Sequence, residues 1–398
     1  MDFNLTEVQQ DFMNLARDFG EKRLAPTIME RDHQAFMMMH LSLNCSAWAS
    51  RALTLKKKYG GAGDDGGDVL SYILAVEELA KYDAGVSITL SATVSLCANP
   101  IWQFGTEEQK EKFLVPLVEG TKLGAFGLTE PNAGTDASGQ QTVAVKNDDG
   151  TYTLNGSKIF ITNGGHADIY IVFAMTDKSK GNHGITAFIL EDGMPGFTYG
   201  KKEDKMGIHT SVTMELVFQD VKVPAENMLG EEGKGFKIAM MTLDGGRIGV
   251  AAQALGIAEA ALADAVEYSK QRVQFGKPLC KFQSVSFKLA DMKMQIEAAR
   301  NLVYKAACLK QEGKPFTVDA AIAKRVASDV AMRVSTELSR SSAAMATAKN
   351  IRLLVICAML RSPRSTKART KFSHGYSWCS VKIIEVYDAG LASAKPVA

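Results

Sequence analysis

The chain has 398 residues, 46% apolar and 23% charged, enough for a large buried core and, since single cores seldom grow past about 250 to 300 residues, for two or three domains. This composition excludes disorder, a collagen-like repeat and a disulfide scaffold. The six cysteines show no CxxC spacing, no secretory leader is visible and no run approaches the roughly 20 apolar residues of a membrane span, so a reducing, cytoplasmic location without a membrane is expected.

Charge is unevenly placed. Residues 338–382 carry nine Lys or Arg and no acid, and residues 34–58 carry four basic residues and no acid. The remaining 328 positions hold 33 basic and 44 acidic residues, a net of −11, so the bulk of the molecule is acidic and no nucleic-acid partner is expected.

In chain order, the N-terminus spaces Phe3, Val8, Phe12, Leu15 and Phe19 for an amphipathic helix, with Asn4 or Thr6 as cap and Pro26 as stop. Residues 68–118 continue as helices. An almost uncharged stretch, VSITLSATVSLCANPIWQFG, reads as buried on all sides, and Thr106 with the acids after it marks a helix start. Between about 122 and 230 the period falls to two: YTLNGSKIFITNG, DIYIVFAMT, GITAFILED and TMELVFQDVKVP are β-rich runs, and NDDG is a hairpin signal. An antiparallel β domain is expected there. Helical spacing returns after Gly235 in three long stretches, which favours a bundle that also oligomerises.

The six histidines show no metal-ligand spacing, and neither GxSxG nor a P-loop occurs. The glycine clusters YGGAGDDGGD and GEEGKGFK read as surface turns. Two segments are richer. GLTEPNAGTDASG (127–139) offers backbone amides and hydroxyls without bulky side chains, and KIFITNGG (158–165) sets Phe160 and Thr162 two apart on one face of a strand, where a flat ring with polar edges could stack.

GLTEPNAGTD, KIFITNGG, DGGR and QRVQFGKPLCKFQ, in this order, resemble the acyl-CoA dehydrogenase family, most similar to its bacterial short-chain (butyryl-CoA) members, through residues 1–33 and 59–337. The resemblance implies an α+β fold: an N-terminal helical domain (1–121), a central antiparallel β-barrel (122–230) and a C-terminal four-helix bundle (231–382), followed by a tail (383–398). It implies FAD as cofactor, a short-chain acyl-CoA as substrate, an electron-transferring flavoprotein as acceptor, and a homotetramer. Phe126, Leu128 and Thr129 then match positions along the flavin's pyrimidine side, Phe160 the aromatic on its face, and Thr162 the hydroxyl near its reactive nitrogen. Arg272, Phe275 and Gln283 match groups that reach the FAD of another protomer. Thr135 matches a hydroxyl near the substrate, and Asp244 and Arg247 match positions for the pantetheine and adenosine parts of CoA. The implied reaction removes the α proton with a carboxylate while hydride leaves the β carbon for the flavin. A FAD- or acyl-CoA-binding relative without turnover, or an acyl-CoA oxidase, is the alternative.

The pattern breaks where the family carries its catalytic glutamate, in a YEGTNE-like motif preceded by an IFGGYGY-like one. Neither is present. By distance from Glu337 the base position falls on Lys367, and the alternative position before the arginine of DGGR is Gly246. Back-translating from Leu338 with permitted codons and reading one base earlier restores both motifs within 36 uninterrupted residues. Reading 34–58 one base later restores an acidic amphipathic helix. Both tracts are therefore expected to be out-of-frame translations, with residues 383–398 beyond the true stop.

Overall fold

The computed structural model describes residues 4–51, 57–60 and 68–342. The expectations for Lys367 and for nearly all of the 338–398 region lie outside the described residues.

Helix α1 (Glu7–Phe19) starts at Thr6, whose hydroxyl accepts from the Gln9 amide while the Gln9 side chain accepts from the Thr6 amide. A π-helical turn at Gly20–Leu24 leads through Pro26 into α2 (Ile28–His33), and α3 (Met39–Arg51) follows. Within the acid-free tract 34–58, α3 buries Leu41, Ser42 and Cys45.

Helix α4 (Val69–Tyr82) is capped by Asp68, which accepts from the Ser71 amide. The uncharged stretch forms one helical rod, Ala84–Phe104, made of α5 (Ala84–Ser91), a π-helical segment at Ala92–Ala98 and α6 (Asn99–Phe104). This corrects the expectation that no segment is long and apolar enough for a membrane: this rod and the helix Gly235–Gln271 both are, by length and composition. They are 89% and 78% buried inside the protein over their most apolar windows, as core helices are. Thr106 opens α7 (Glu107–Gln109) with a second reciprocal cap, and a further π-helical turn leads into α8 (Val115–Glu119).

The strands are β1 (Gly124–Gly127), β2 (Val143–Lys146), β3 (Tyr152–Thr162), β4 (Ile169–Met175), β5 (Ile185–Glu191), β6 (Phe197–Lys202), β7 (Thr213–Val223) and β8 (Met228–Leu229). NDDG closes the β2–β3 hairpin, where the Gly150 amide donates to the Asn147 carbonyl at 3.0 Å with Gly150 at φ 84°. The expected closed antiparallel barrel is not what forms. The sheet is open, in the order β6-β7-β3-β2-β4-β5-β8, and mixed, because β1 and β2 both pair with β4 in parallel. Closure needs a regular stagger around the ring. Here β3 breaks register twice against β7, β8 is two residues long, and β6 pairs only with β7.

Helix α9 (Gly235–Gln271) follows, and a two-stranded hairpin of β9 (Val273–Gln274) and β10 (Lys277–Pro278) leads into α10 (Gln283–Gln311) and α11 (Thr317–Ser342). These three pack on one another, and α4 packs on α9 and α10. Among the described residues the C-terminal region thus contributes three long helices, and the expected four-helix bundle is not shown by them. One apolar cluster joins both helical regions, from Ala16 and Leu24 through Ile73 and Leu90 to Leu255, Val303 and Leu338. A Cβ on Gly256 would stand 2.1 Å from the Glu77 carbonyl, so α9 meets α4 where only glycine fits.

Candidate functional site

The two segments singled out in the sequence meet at β1 and β3. The Ile159 amide donates to the Thr129 carbonyl at 2.9 Å, which sets Phe126, Leu128 and Thr129 beside the strand that carries Phe160 and Thr162. Along β3 the buried positions fall at Tyr152, Leu154 and Lys158, then shift to Ile161 across a bulge. At that bulge Phe160 takes φ 59°, a left-handed conformation that a bulky residue adopts at a cost of about 1–3 kcal/mol, and its ring is 55% exposed.

Thr162 is half-buried and pairs with Thr213 on β7. Asn163, at φ 67°, is buried, and its amide nitrogen donates to the Gly124 carbonyl at 2.9 Å and to the Thr89 carbonyl at 3.1 Å. It locks the end of β3 to β1 and to the buried rod. Phe126 is half-buried with its ring centroid 5.0 Å from that of Phe173, and Leu128 is buried. Leu128, Ala137 and Phe126 belong to one apolar cluster with Leu243 of α9. In the loop, Thr135 is half-buried, and nothing lies within 4 Å of a Cβ built on Gly134, so the loop faces open space there.

The loop is held from beneath by a pair that sequence reasoning missed. The Lys158 ammonium is fully buried and donates to the Glu130 carboxylate at 2.6 Å, to the Gln140 side-chain carbonyl at 3.0 Å and to the Leu128 backbone carbonyl at 3.3 Å. Burial pulls its pKa down to about 8 against the opposing Glu130 charge. Burial also disfavours the Glu130 carboxylate, but the Lys158 charge, its hydrogen bond and the Gln141 and Thr142 hydrogen bonds outweigh it and hold that pKa below the ordinary value. A lysine in an alternating strand reads as solvent-facing; only its phase with Leu154 hinted otherwise.

Asp244 and Arg247 sit one turn apart on α9 and pair at 2.9 Å, and the Thr317 hydroxyl at the start of α11 donates to the other Asp244 oxygen at 2.9 Å. Gly246 between them is buried, and a Cβ there would stand 2.9 Å from Leu96 of the rod. Arg272, Phe275 and Gln283 lie apart from these groups, on the elbow between α9 and α10. All three are exposed, Phe275 to 93% and at φ 49°.

Three family models match in succession: the acyl-CoA dehydrogenase N-terminal domain over residues 6–121, the middle domain over 125–221 and the C-terminal domain over 233–362. The chain belongs to the acyl-CoA dehydrogenase family. It is 88% identical over 337 residues to the short-chain-specific acyl-CoA dehydrogenase of Megasphaera elsdenii, covering 85% of this chain and 88% of that protein. The solved structure of butyryl-CoA dehydrogenase from Megasphaera elsdenii superposes with a TM-score of 0.94 at 77% identity, over 96% of this chain and all of the other. A chain in a structure of the electron transferring flavoprotein of Acidaminococcus fermentans superposes with a TM-score of 0.90 at 58% identity, over 93% and 96% of the two chains.

Acyl-CoA dehydrogenases are FAD-dependent, and this chain's residues fit that group. The exposed ring of Phe160, the neutral hydroxyls of Thr129 and Thr162 and the open loop at Gly134 suit a flat, uncharged heterocycle with polar edges.

Proposed function

We propose that this protein catalyses the α,β-dehydrogenation of short-chain acyl-CoA thioesters, of the butyryl-CoA to crotonyl-CoA type, and passes the electrons to an electron-transferring flavoprotein. The observation that carries this reading is the exposed Phe160 ring at φ 59°, set beside Thr162 and the Phe126–Thr129 segment. Bound FAD supplies the acceptor for the hydride released from the β carbon.

The chain's own residues bind and orient. Phe160 offers its ring to the flavin face, Thr162 its hydroxyl near the reactive nitrogen, and Phe126, Leu128 and Thr129 line the pyrimidine edge. Thr135 lies toward the substrate, and Asp244 with Arg247 takes the pantetheine and adenosine portion of CoA. Arg272, Phe275 and Gln283 reach the FAD of a neighbouring protomer in a homotetramer; their exposure on one subunit supports that role. A four-helix C-terminal bundle, completed by residues after Ser342, and a cytoplasmic location belong to the same reading, as do domains at 1–121, 122–230 and 231–382.

Removal of the α proton needs a base, a carboxylate by the family resemblance, and a lysine ammonium at position 367 has no lone pair to take it. We assign residues 34–58 and 338–382 to frame slips in the underlying DNA and 383–398 to read-through, with a glutamate at the position of Lys367 in the corrected frame. Identity to the Megasphaera proteins drops from 88% over 337 residues to 77% once superposition extends to 96% of the chain, which supports added stretches that carry almost no identities.

Re-reading the source DNA across codons 34–58 and 338–383, together with the intact mass of the natural protein, tests the frame assignment; agreement with 43.0 kDa overturns it. Anaerobic bleaching of the purified flavoprotein by butyryl-CoA is the expected result. FAD bound without bleaching identifies a relative without turnover, and oxygen uptake without an added acceptor identifies an oxidase.

A further inference from the structure

A buried ammonium is costly unless every donor is satisfied, and most strands avoid one. Lys158 has three donors and finds three acceptors, all in one loop: the Leu128 carbonyl and the Glu130 carboxylate where the loop leaves β1, and the Gln140 side chain where it returns toward β2. Glu130 spans the same gap in the other direction. Its two oxygens accept the amides of Gln141 at 2.6 Å and Thr142 at 3.1 Å. The two feet of a loop of more than ten residues are thus tied to a single side chain on β3.

The place of that tie matters. One residue on, the Ile159 amide holds the Thr129 carbonyl, and one further, the bulge turns Phe160 outward at φ 59°. Lys158 therefore sits at the junction between the two walls of the site, Phe126–Thr135 on one side and Phe160–Thr162 on the other.

We propose that Lys158 and Glu130 are positioning residues for the cofactor: their buried pair holds the Leu128–Thr142 loop against β3, so that both walls of the flavin site are set before FAD arrives. This rests on the reading of Phe160 and Phe126–Thr129 as flavin contacts.

The test uses protein expressed from the source gene, in four variants besides wild type. Glu130→Gln keeps the shape and removes one charge. The double variant Lys158→Met with Glu130→Gln removes both charges, leaving no orphaned ion to unfold the domain. Asp83→Asn breaks a buried pair, Arg31–Asp83, whose partners do not include the Leu128–Thr142 loop or β3, and serves as the structural control. FAD affinity of the apoprotein, visible circular dichroism of the bound flavin and the apoprotein Tm are measured for each. The expected result is that the double variant weakens FAD binding about tenfold or more and changes the flavin dichroism, even where its Tm returns to within a few degrees of wild type. Asp83→Asn lowers Tm and leaves the dichroism of bound flavin unchanged. Wild-type affinity and dichroism in both Glu130→Gln and the double variant overturn the proposal. Phe160→Ala separates this failure from that of the site reading: if its dichroism also matches wild type, the flavin does not lie on Phe160, whereas a changed spectrum there with none in the double variant rejects the positioning role alone.

Discussion

Arg31 and Asp83 form an ion pair with side-chain exposures of 3% and 0%, and Asp83 holds three further partners at once. One of its oxygens accepts the amides of Gly85 at 2.8 Å and Val86 at 3.2 Å, capping the rod Ala84–Phe104, and also the Thr210 hydroxyl at 2.6 Å from the β domain. The Arg31 guanidinium meanwhile donates to the Leu24 carbonyl at 3.1 Å. The N-terminal segment, the buried rod and the β domain are joined through one carboxylate.

Removing one side of this pair strands the other. Asp83→Ala is expected to cost about 3–5 kcal/mol of stability, and the lost cap adds about 1 kcal/mol. The denaturant midpoint of the apoprotein measures this; a shift equivalent to under about 1 kcal/mol contradicts it.

At Phe160 the backbone and the ring make separate demands. On the proposed role of Phe160, Phe160→Ala and Phe160→Gly both remove the ring and are expected to weaken FAD binding alike. Glycine alone relieves the φ of 59°, so the apoprotein of Phe160→Gly should be more stable than that of Phe160→Ala by about 1 kcal/mol. Equal apoprotein stabilities would remove backbone strain from the account.

Lys310 gives a pH prediction. Its ammonium stands 2.7 Å from where a Cβ on Gly245 would be, it makes no ion pair among the described residues, and burial lowers its pKa from 10.5 to about 8. The folded state therefore holds this proton less tightly than the unfolded chain, and the charge destabilises most fully below about pH 8. Lys310→Met should raise Tm at pH 6.5, with the advantage shrinking as pH climbs from about 8 toward 10.5. Melting curves across that range decide it, and a gap that widens with pH reverses the sign.

A polypeptide made with residues 338–382 as they stand should fold poorly, because this acid-free tract places at least five cations in what the family uses as a bundle helix and a cofactor contact. Expression of this coding sequence beside one with both frames restored is the comparison. A soluble, yellow, active product from the first would contradict the frame assignment.

Much of this architecture was legible because its signals are local. The caps at Thr6 and Thr106 and the NDDG turn are each fixed within a few residues and the three long helices by a sustained period, and all form as expected, whereas β3 forms with its alternation broken at two bulges. The openness of the sheet was not legible: β1 and β2 are four residues each, too short for a period, and their parallel pairing with β4 depends on distant chain. In the site, Phe160 and Thr162 stood out by type and spacing. Lys158 did not, since its acceptors lie 18 to 30 residues away and a charged residue in a strand signals water. The length and apolarity of the rod Ala84–Phe104 likewise say nothing of what surrounds it.

The apolar cluster that runs from Ala16 to Leu338 sets an order of events during synthesis. At roughly 5–20 residues per second, more than 200 residues must still leave the ribosome after position 121, so the first helices wait on the order of ten to forty seconds for the surfaces that cover them. The middle sheet, contiguous in the chain, can collapse in the meantime. A nascent chain stopped before α10 would keep its greasy faces open to chaperones.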